Sequence, residues 1–140
     1  EGCTSLEALY DTESLAQQLA AQAPVFQPGT VVAEHALLYG NLCSALVRKL
    51  TGRGLGAFFR EEVAEPFGLS LHFGVPEEKL SSCAEISLWP PAIRQSLSDL
   101  SPLAEAGLFR PDVLCSDAVV NSAAWRQAEL PAVNMHGTAR

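Results

Sequence analysis

Basic side chains are scarce in this 140-residue chain, which has 9 Lys and Arg against 16 Asp and Glu and so a formal charge of 9 − 16 = −7. Only two of those cations are lysines, Lys49 and Lys79. A nucleic-acid backbone or an anionic membrane surface calls for clustered Lys and Arg. Neither is an expected partner, and basic partners or neutral small molecules fit the charge better. Long apolar runs are missing too. The longest cover a few residues, as at Ala36-Leu37-Leu38-Tyr39, well short of the ~20 that span a bilayer. The four cysteines, Cys3, Cys43, Cys83 and Cys115, stand far apart with no CxxC pair, which argues against a structural zinc site. They read as free thiols in a reduced, intracellular compartment, with Cys43 inside a helix. His35, His72 and His136 show no metal-ligand spacing, and GxSxG, GxxxxGK[ST] and GxGxxG are all absent. No metal or cofactor is expected. The one methionine is Met135, and the chain opens on Glu1 without a basic segment leading into an apolar one. This start, with an end that reads as the first turn of a helix, leads to the expectation of a piece of a longer chain.

What is present is apolar enough to fold, at 48% hydrophobic and 18% charged residues, outside the composition of disordered chains. Asp11 to Ala23 reads as a helix capped by Asp11 or Thr12, with Leu15, Leu19 and Ala20 at helical spacing and Pro24 ending it. A Pro28-Gly29 turn leads to Val31-Val32, a possible strand stub. His35 to Leu50 is the clearest helix, with Leu38, Leu42, Ala45 and Leu46 on one stripe, Arg48 and Lys49 in the last turn, and Gly52 as a left-handed cap. Gly54 to Glu65 follows, with Leu55, Phe58, Phe59 and Val63 inward and Arg60, Glu61 and Glu62 outward. Leu69 to Phe73 alternates like a strand, which leaves His72 pointing outward. A short helix at Glu77–Leu80, one opening at Trp89-Pro90-Pro91 and running to about Leu100, and one over Asp112–Arg126 broken near Ser116-Asp117 complete the reading. His136 is expected just before a turn. The densest core is expected from Leu38, Leu42, Leu46, Leu55, Phe58, Phe59 and Val63, with Trp89 and Trp125 as packing anchors.

Five short elements then occur in a telling order: Pro28-Gly29-Thr30, His35-Ala36-Leu37-Leu38-Tyr39-Gly40, Val47-Arg48-Lys49-Leu50-Thr51-Gly52, Phe58-Phe59-Arg60-Glu61-Glu62-Val63 and Pro66-Phe67-Gly68-Leu69. Together with His136-Gly137-Thr138-Ala139-Arg140 they resemble the serine β-lactamase-related family, in particular its class C-like and esterase-like branch. The resemblance runs from about Tyr10 to Arg140. It implies a mainly α, single helical subdomain over residues 1–140, part of a β-lactamase/transpeptidase-like fold with one or two very short strands, that forms one wall of a substrate cleft. Glu34 and His35 then line that wall.

The family's nucleophile is the serine of Ser-x-x-Lys, with the lysine one helical turn away to take its proton. Three positions before Lys49 and Lys79 stand Leu46 and Pro76, so that motif is absent. Tyr39-Gly40-Asn41 matches Tyr-x-Asn by letters, which makes Tyr39 and Asn41 candidates. Alignment on the Pro-Gly-Thr and Thr-Gly elements instead puts the family's assisting tyrosine at Glu34 and leaves Tyr39 as a packed helix residue. Glu34 for Tyr exchanges a phenol for a carboxylate and alters any proton transfer there. His72-Phe73-Gly74 matches His-x-Gly by letters but lies too early for the substrate-side strand. The resemblance thus implies the central part of a serine hydrolase of esters or amides, dependent on the rest of its chain or on other subunits; the alternative is a pseudoenzyme with a structural or assembly role. A free-standing interaction module is a third reading, and it predicts cooperative unfolding of the isolated chain.

Overall fold

The computed structural model describes residues 5–32, 38–88, 99 and 116–138. The expected helix from Trp89, the start of the one from Asp112, Glu34, His35, Cys3 and Cys115 lie outside the described residues. Two short helices open the chain, α1 over Leu6–Tyr10 and α2 over Thr12–Ala21. Asp11 joins them: its carboxylate accepts from the Ser14 amide at 2.9 Å and so caps α2 as expected. Sequence patterning assigned no element before Asp11 and so missed α1, whose five residues are too few to show a helical period.

After the Pro28-Gly29 turn, Val31 and Val32 are exposed and form no strand. The expected strand stub is wrong, since two apolar residues without a pairing partner supply no ladder hydrogen bonds. The third helix, α3, runs Tyr39–Thr51 and stops where predicted. Gly52 adopts φ 73° and donates its amide to the Arg48 carbonyl at 2.8 Å, a left-handed ending that a side chain would strain. A fourth helix, α4, covers Leu55–Phe59 and continues as a wider π-type turn over Arg60–Ala64. Arg53 reaches Glu61 at 2.7 Å and Glu62 at 2.8 Å while lying 5.0 Å above the Phe58 ring, so the charged side of this helix faces solvent in an ion-paired state.

Strand β1, Leu71–Phe73, pairs antiparallel with strand β2, Met135–Gly137, in the register Leu71↔Gly137, His72↔His136 and Phe73↔Met135. The tail therefore forms a strand where a helix start and a turn were expected. The edge of Leu69–Phe73 offers unpaired backbone groups, and the Met135–Gly137 segment satisfies them. On the inner face Phe73 meets Phe59 edge-on with ring centroids 5.4 Å apart. A 3-10 turn follows at Glu77–Ser82, close to the expected short helix.

Two more short helices, α5 over Asp117–Val120 and α6 over Ala123–Gln127, occupy the described part of the helix expected over Asp112–Arg126 with a break near Ser116-Asp117. The break falls at Asn121-Ser122, because the Ser122 hydroxyl takes the Trp125 amide as a new N-cap. Here lies the core. Val120, Trp125 and Leu130 are buried together, with Leu6, Leu9, Tyr10, Leu88, Val119 and Ala128 packed around them. Trp125 anchors as predicted, but the expected core of Leu38, Leu42, Leu46, Leu55, Phe58, Phe59 and Val63 is wrong, since none of these residues is buried. On α3 the buried residues are instead Gly40, Asn41 and Ser44. At Gly40 the missing side chain lets the helix backbone come against the Pro131–Ala132 turn, an approach that a leucine there would block.

Polar side chains on α5 and α6 hold an extended strap, residues 84–88. Asn121 accepts from the Ile86 amide and donates to the Ile86 carbonyl, both at 2.8 Å, as a backbone partner strand would. Asp117 accepts from the Leu88 amide at 2.9 Å, and the buried Arg126 guanidinium donates to the Ala84 carbonyl at 3.1 Å and to Asn121 Oδ1 at 3.0 Å. Asn121→Ala should therefore release the strap with a cost of about 1–2 kcal/mol. The expected signs are faster amide exchange at Ile86 and earlier proteolytic cleavage within 84–88 than in wild type.

Candidate functional site

The residues singled out for chemistry divide between two places, the first turn of α3 and the outer face of the β1–β2 ribbon. Tyr39 and Asn41 both belong to that first turn. At roughly 100° per residue, two positions place their side chains about 160° apart in the short direction around the helix. Asn41 is buried and Tyr39 is largely exposed, so Tyr39 is not the packed residue expected of it. The fold does not bring this pair together on one surface. Tyr39 turns instead to Cys43, one helical turn on. The hydrogen bond with the Cys43 thiol, then the thiol's charge when ionised and slight desolvation, hold the phenol above its ordinary value of 10.0. A phenol that serves as a proton acceptor needs the opposite shift.

The second place was not recognised as a unit in the sequence, because 136 − 72 = 64 positions separate its two histidines. His72 and His136 are direct partners across the ribbon, on the face opposite Phe73 and Phe59. The Lys79 ammonium lies 3.1 Å from His72 Nε2. An ammonium only donates, so Nε2 is the acceptor and the imidazole is neutral in this arrangement. His136 Nδ1 lies 2.8 Å from the Asn134 carbonyl and donates to it. Burial, then the Lys79 charge, then His136 lower His72 from its ordinary 6.5, with Glu78 opposing weakly. Cys43 and Cys83 are free thiols, and among the described residues no three His, Cys, Asp or Glu side chains converge as a metal site.

The sign of the His72 shift sets a pH dependence. A base whose folded value is depressed contributes stability that is present above its unfolded value and lost as pH falls through the folded one. The thermal midpoint should therefore drop as pH is lowered from about 7 to about 5, and His72→Gln should flatten that part of the profile. A wild-type midpoint unchanged over the same range would contradict the arrangement.

Geometry of this kind, mostly helical with a two-stranded ribbon closing it, agrees with the comparisons to known proteins. The family model described as Beta-lactamase matches residues 4–140. The chain belongs to the beta-lactamase family. Within it, the chain is 34% identical over 142 aligned residues to the esterase/beta-lactamase LipL of Mycobacterium tuberculosis, covering 94% of this chain and 32% of LipL. Among solved structures it is similar to EstA of Arthrobacter nitroguajacolicus Rue61a, with TM-score 0.73 and 25% identity over 93% of this chain and 34% of EstA. A penicillin-binding protein homologue from Caulobacter crescentus gives TM-score 0.69 and 29% identity, over 93% of this chain and 33% of that one. The chain thus spans about a third of the length of the curated relative it matches. Its fold is a helical subdomain of the beta-lactamase type with two short strands, and no described helix is long and apolar enough to cross a membrane.

Proposed function

We propose that these residues are the central helical part of a serine hydrolase of the beta-lactamase family that cleaves small-molecule esters or amides as a whole protein. In that reading the segment is one wall of the substrate cleft, lined by Glu34 and His35, and the Ser-x-x-Lys nucleophile and the KTG or HxG strand lie elsewhere in the protein. The observation that carries the reading is the likeness to an esterase/beta-lactamase over 94% of this chain but 32% of the relative, joined to the absence of Ser-x-x-Lys within these residues. Without a nucleophile a cleft wall can bind and orient but cannot form an acyl intermediate. The 140 residues alone are therefore expected to give no saturable turnover of nitrocefin or of a p-nitrophenyl ester. The longer protein is expected to turn over one of them and to lose that turnover when the serine of its Ser-x-x-Lys is replaced by alanine.

Glu34 supports a second reading. A carboxylate stands where the resemblance expects the assisting tyrosine, and a pseudoenzyme with a structural or assembly role has no need of the phenol. Sequence flanking these residues that lacks both Ser-x-x-Lys and the KTG or HxG strand would favour it.

A further inference from the structure

His72 and His136 are two of the three histidines in the chain, and the ribbon sets them side by side. The Thr138 amide donates to the Ser70 carbonyl, so positions 70 and 138 form a hydrogen-bonded pair of the antiparallel ladder. Two steps along, His72↔His136 is such a pair as well, with Cα atoms about 5.5 Å apart and both side chains on one face. The ring nitrogens are set as firmly as the spacing. His136 donates from Nδ1 to the Asn134 carbonyl at 2.8 Å, which leaves its lone pair on Nε2. Asn134 is itself fixed by three side-chain hydrogen bonds in the core, so the ring is held in one tautomer and one orientation. Imidazoles that ligate metals are oriented in the same way, by giving their second ring N–H to a backbone carbonyl. His72 also carries its lone pair on Nε2, where the Lys79 ammonium lies 3.1 Å away. A cation is thus already seated against this nitrogen, and the charge of Glu78 favours one there. Lys79 is exposed on the 3-10 turn, and its flexible stem lets the ammonium move aside.

We propose that His72 Nε2 and His136 Nε2 form a two-nitrogen site for a divalent transition metal such as Zn2+, with Lys79 as a displaceable occupant. Imidazole nitrogens suit zinc and its neighbours in the first row, whereas Mg2+ and Ca2+ call for oxygen ligands. At Zn–N distances of about 2.0–2.1 Å the two nitrogens must close to about 3.3 Å of each other, which rings on a direct cross-strand pair reach by side-chain rotation. Water completes the coordination, so the affinity is below that of a closed structural site. Binding ties positions 72 and 136 together and stabilises a ribbon whose strands lie 64 positions apart. Local spacing carries no sign of such a pair. Both ligands lie within these residues, and the site does not depend on the hydrolase reading.

The test titrates Zn2+ calorimetrically into the intact protein and into three variants. Wild type is expected to bind one equivalent at these residues with a micromolar dissociation constant, and His72→Gln and His136→Gln should each weaken that binding about tenfold or more. Lys79→Met should strengthen it several-fold, because the competing ammonium is gone. Zn2+ at about ten times the dissociation constant should also raise the thermal midpoint of wild type by about 2 °C or more and leave both histidine variants where they were. Wild type that binds no Zn2+, or binds it equally well after either histidine change, overturns the proposal. So does Lys79→Met that binds more weakly than wild type, which would make the lysine a structural partner of His72 instead of an occupant of the site. The three changes fall on exposed or half-buried side chains, and loss of the fold in one variant leaves the other two to decide.

Discussion

Gly40→Ala should unfold the packing between α3 and the C-terminal segment, at a cost of about 3 kcal/mol or more. An added Cβ would fall on the Pro131 carbonyl carbon and the Ala132 amide nitrogen and 2.6 Å from the Pro131 carbonyl oxygen. All three are backbone atoms, so no side-chain rotation relieves the overlap. Either α3 lifts away or the 131–133 turn moves, and that turn is tied back by the amides of Val133 and Asn134 to the Leu130 carbonyl. Alanine raises helix propensity by up to about 1 kcal/mol over glycine, which is too little to offset the clash. Gly54→Ala is the control: there the nearest atom is a Glu129 carboxylate oxygen at 3.4 Å, an ordinary contact at the far end of a side chain. It should change stability by about 1 kcal/mol at most. Chemical denaturation of the two variants beside wild type checks the ranking, and equal effects would refute the account of the α3 face.

Asn134→Ala should be comparably severe. Asn134 is 3% exposed. Its amide nitrogen donates to the carbonyls of Trp125 and Ala128, each at 2.8 Å, and its side-chain oxygen accepts from the Leu130 amide at 3.0 Å. One side chain thus serves three backbone groups in the segment that carries Trp125 and Leu130, the centre of the core. Removing it strands these groups away from water. At about 1–3 kcal/mol for each unsatisfied buried group, and with partial relaxation, a loss of about 3–4 kcal/mol is expected. Asn134→Asp separates geometry from volume: it keeps the size and the acceptor for Leu130, but it turns both donations into repulsion between a carboxylate and two carbonyls. The aspartate variant should be no more stable than the alanine one. A wild-type midpoint for either variant would refute the role assigned to the side chain. The fall in midpoint should be accompanied by loss of the Trp125 near-ultraviolet signal.

These two positions also show what was legible in the sequence. The ends of elements were readable where a single residue decides them: Asp11 caps α2 through its own side chain, and Gly52 takes the left-handed ending that closes α3. The order of the Pro-Gly-Thr, Tyr-Gly, Thr-Gly and Phe-Phe-Arg-Glu-Glu elements was enough to indicate the beta-lactamase family. The facing of α3 was not readable. Hydrophobic periodicity identifies an apolar side, and on α3 that side is Leu42 and Leu46, yet the buried residues are Gly40, Asn41 and Ser44, and Gly40 meets the backbone of Pro131 and Ala132. A close backbone approach is selected by the absence of side-chain volume, which periodicity scores as nothing. Asn134 carries no periodic signal at all, because its partners are carbonyls six and nine positions back. At the candidate site, the letters Tyr39-Gly40-Asn41 match a motif whose two side chains the helix then sends in opposite directions. The His72–His136 pairing depends on a contact across 64 positions, which no local pattern encodes.

That same ribbon has a consequence for how the chain comes together. Strand β1 is complete by Phe73, but its partner Met135–Gly137 is among the last of the described residues. Closing so long a loop carries an entropic cost that local helices do not meet, so the β1 edge is expected to pair later than the local helices form. Leu69, Leu71 and Phe73 border that edge, and an unpaired apolar edge is a template for other chains. Residues 134–138, through Asn134 to the core and through Thr138, whose amide donates to the Ser70 carbonyl at 3.2 Å, therefore act as the molecule's own guard against strand-to-strand aggregation.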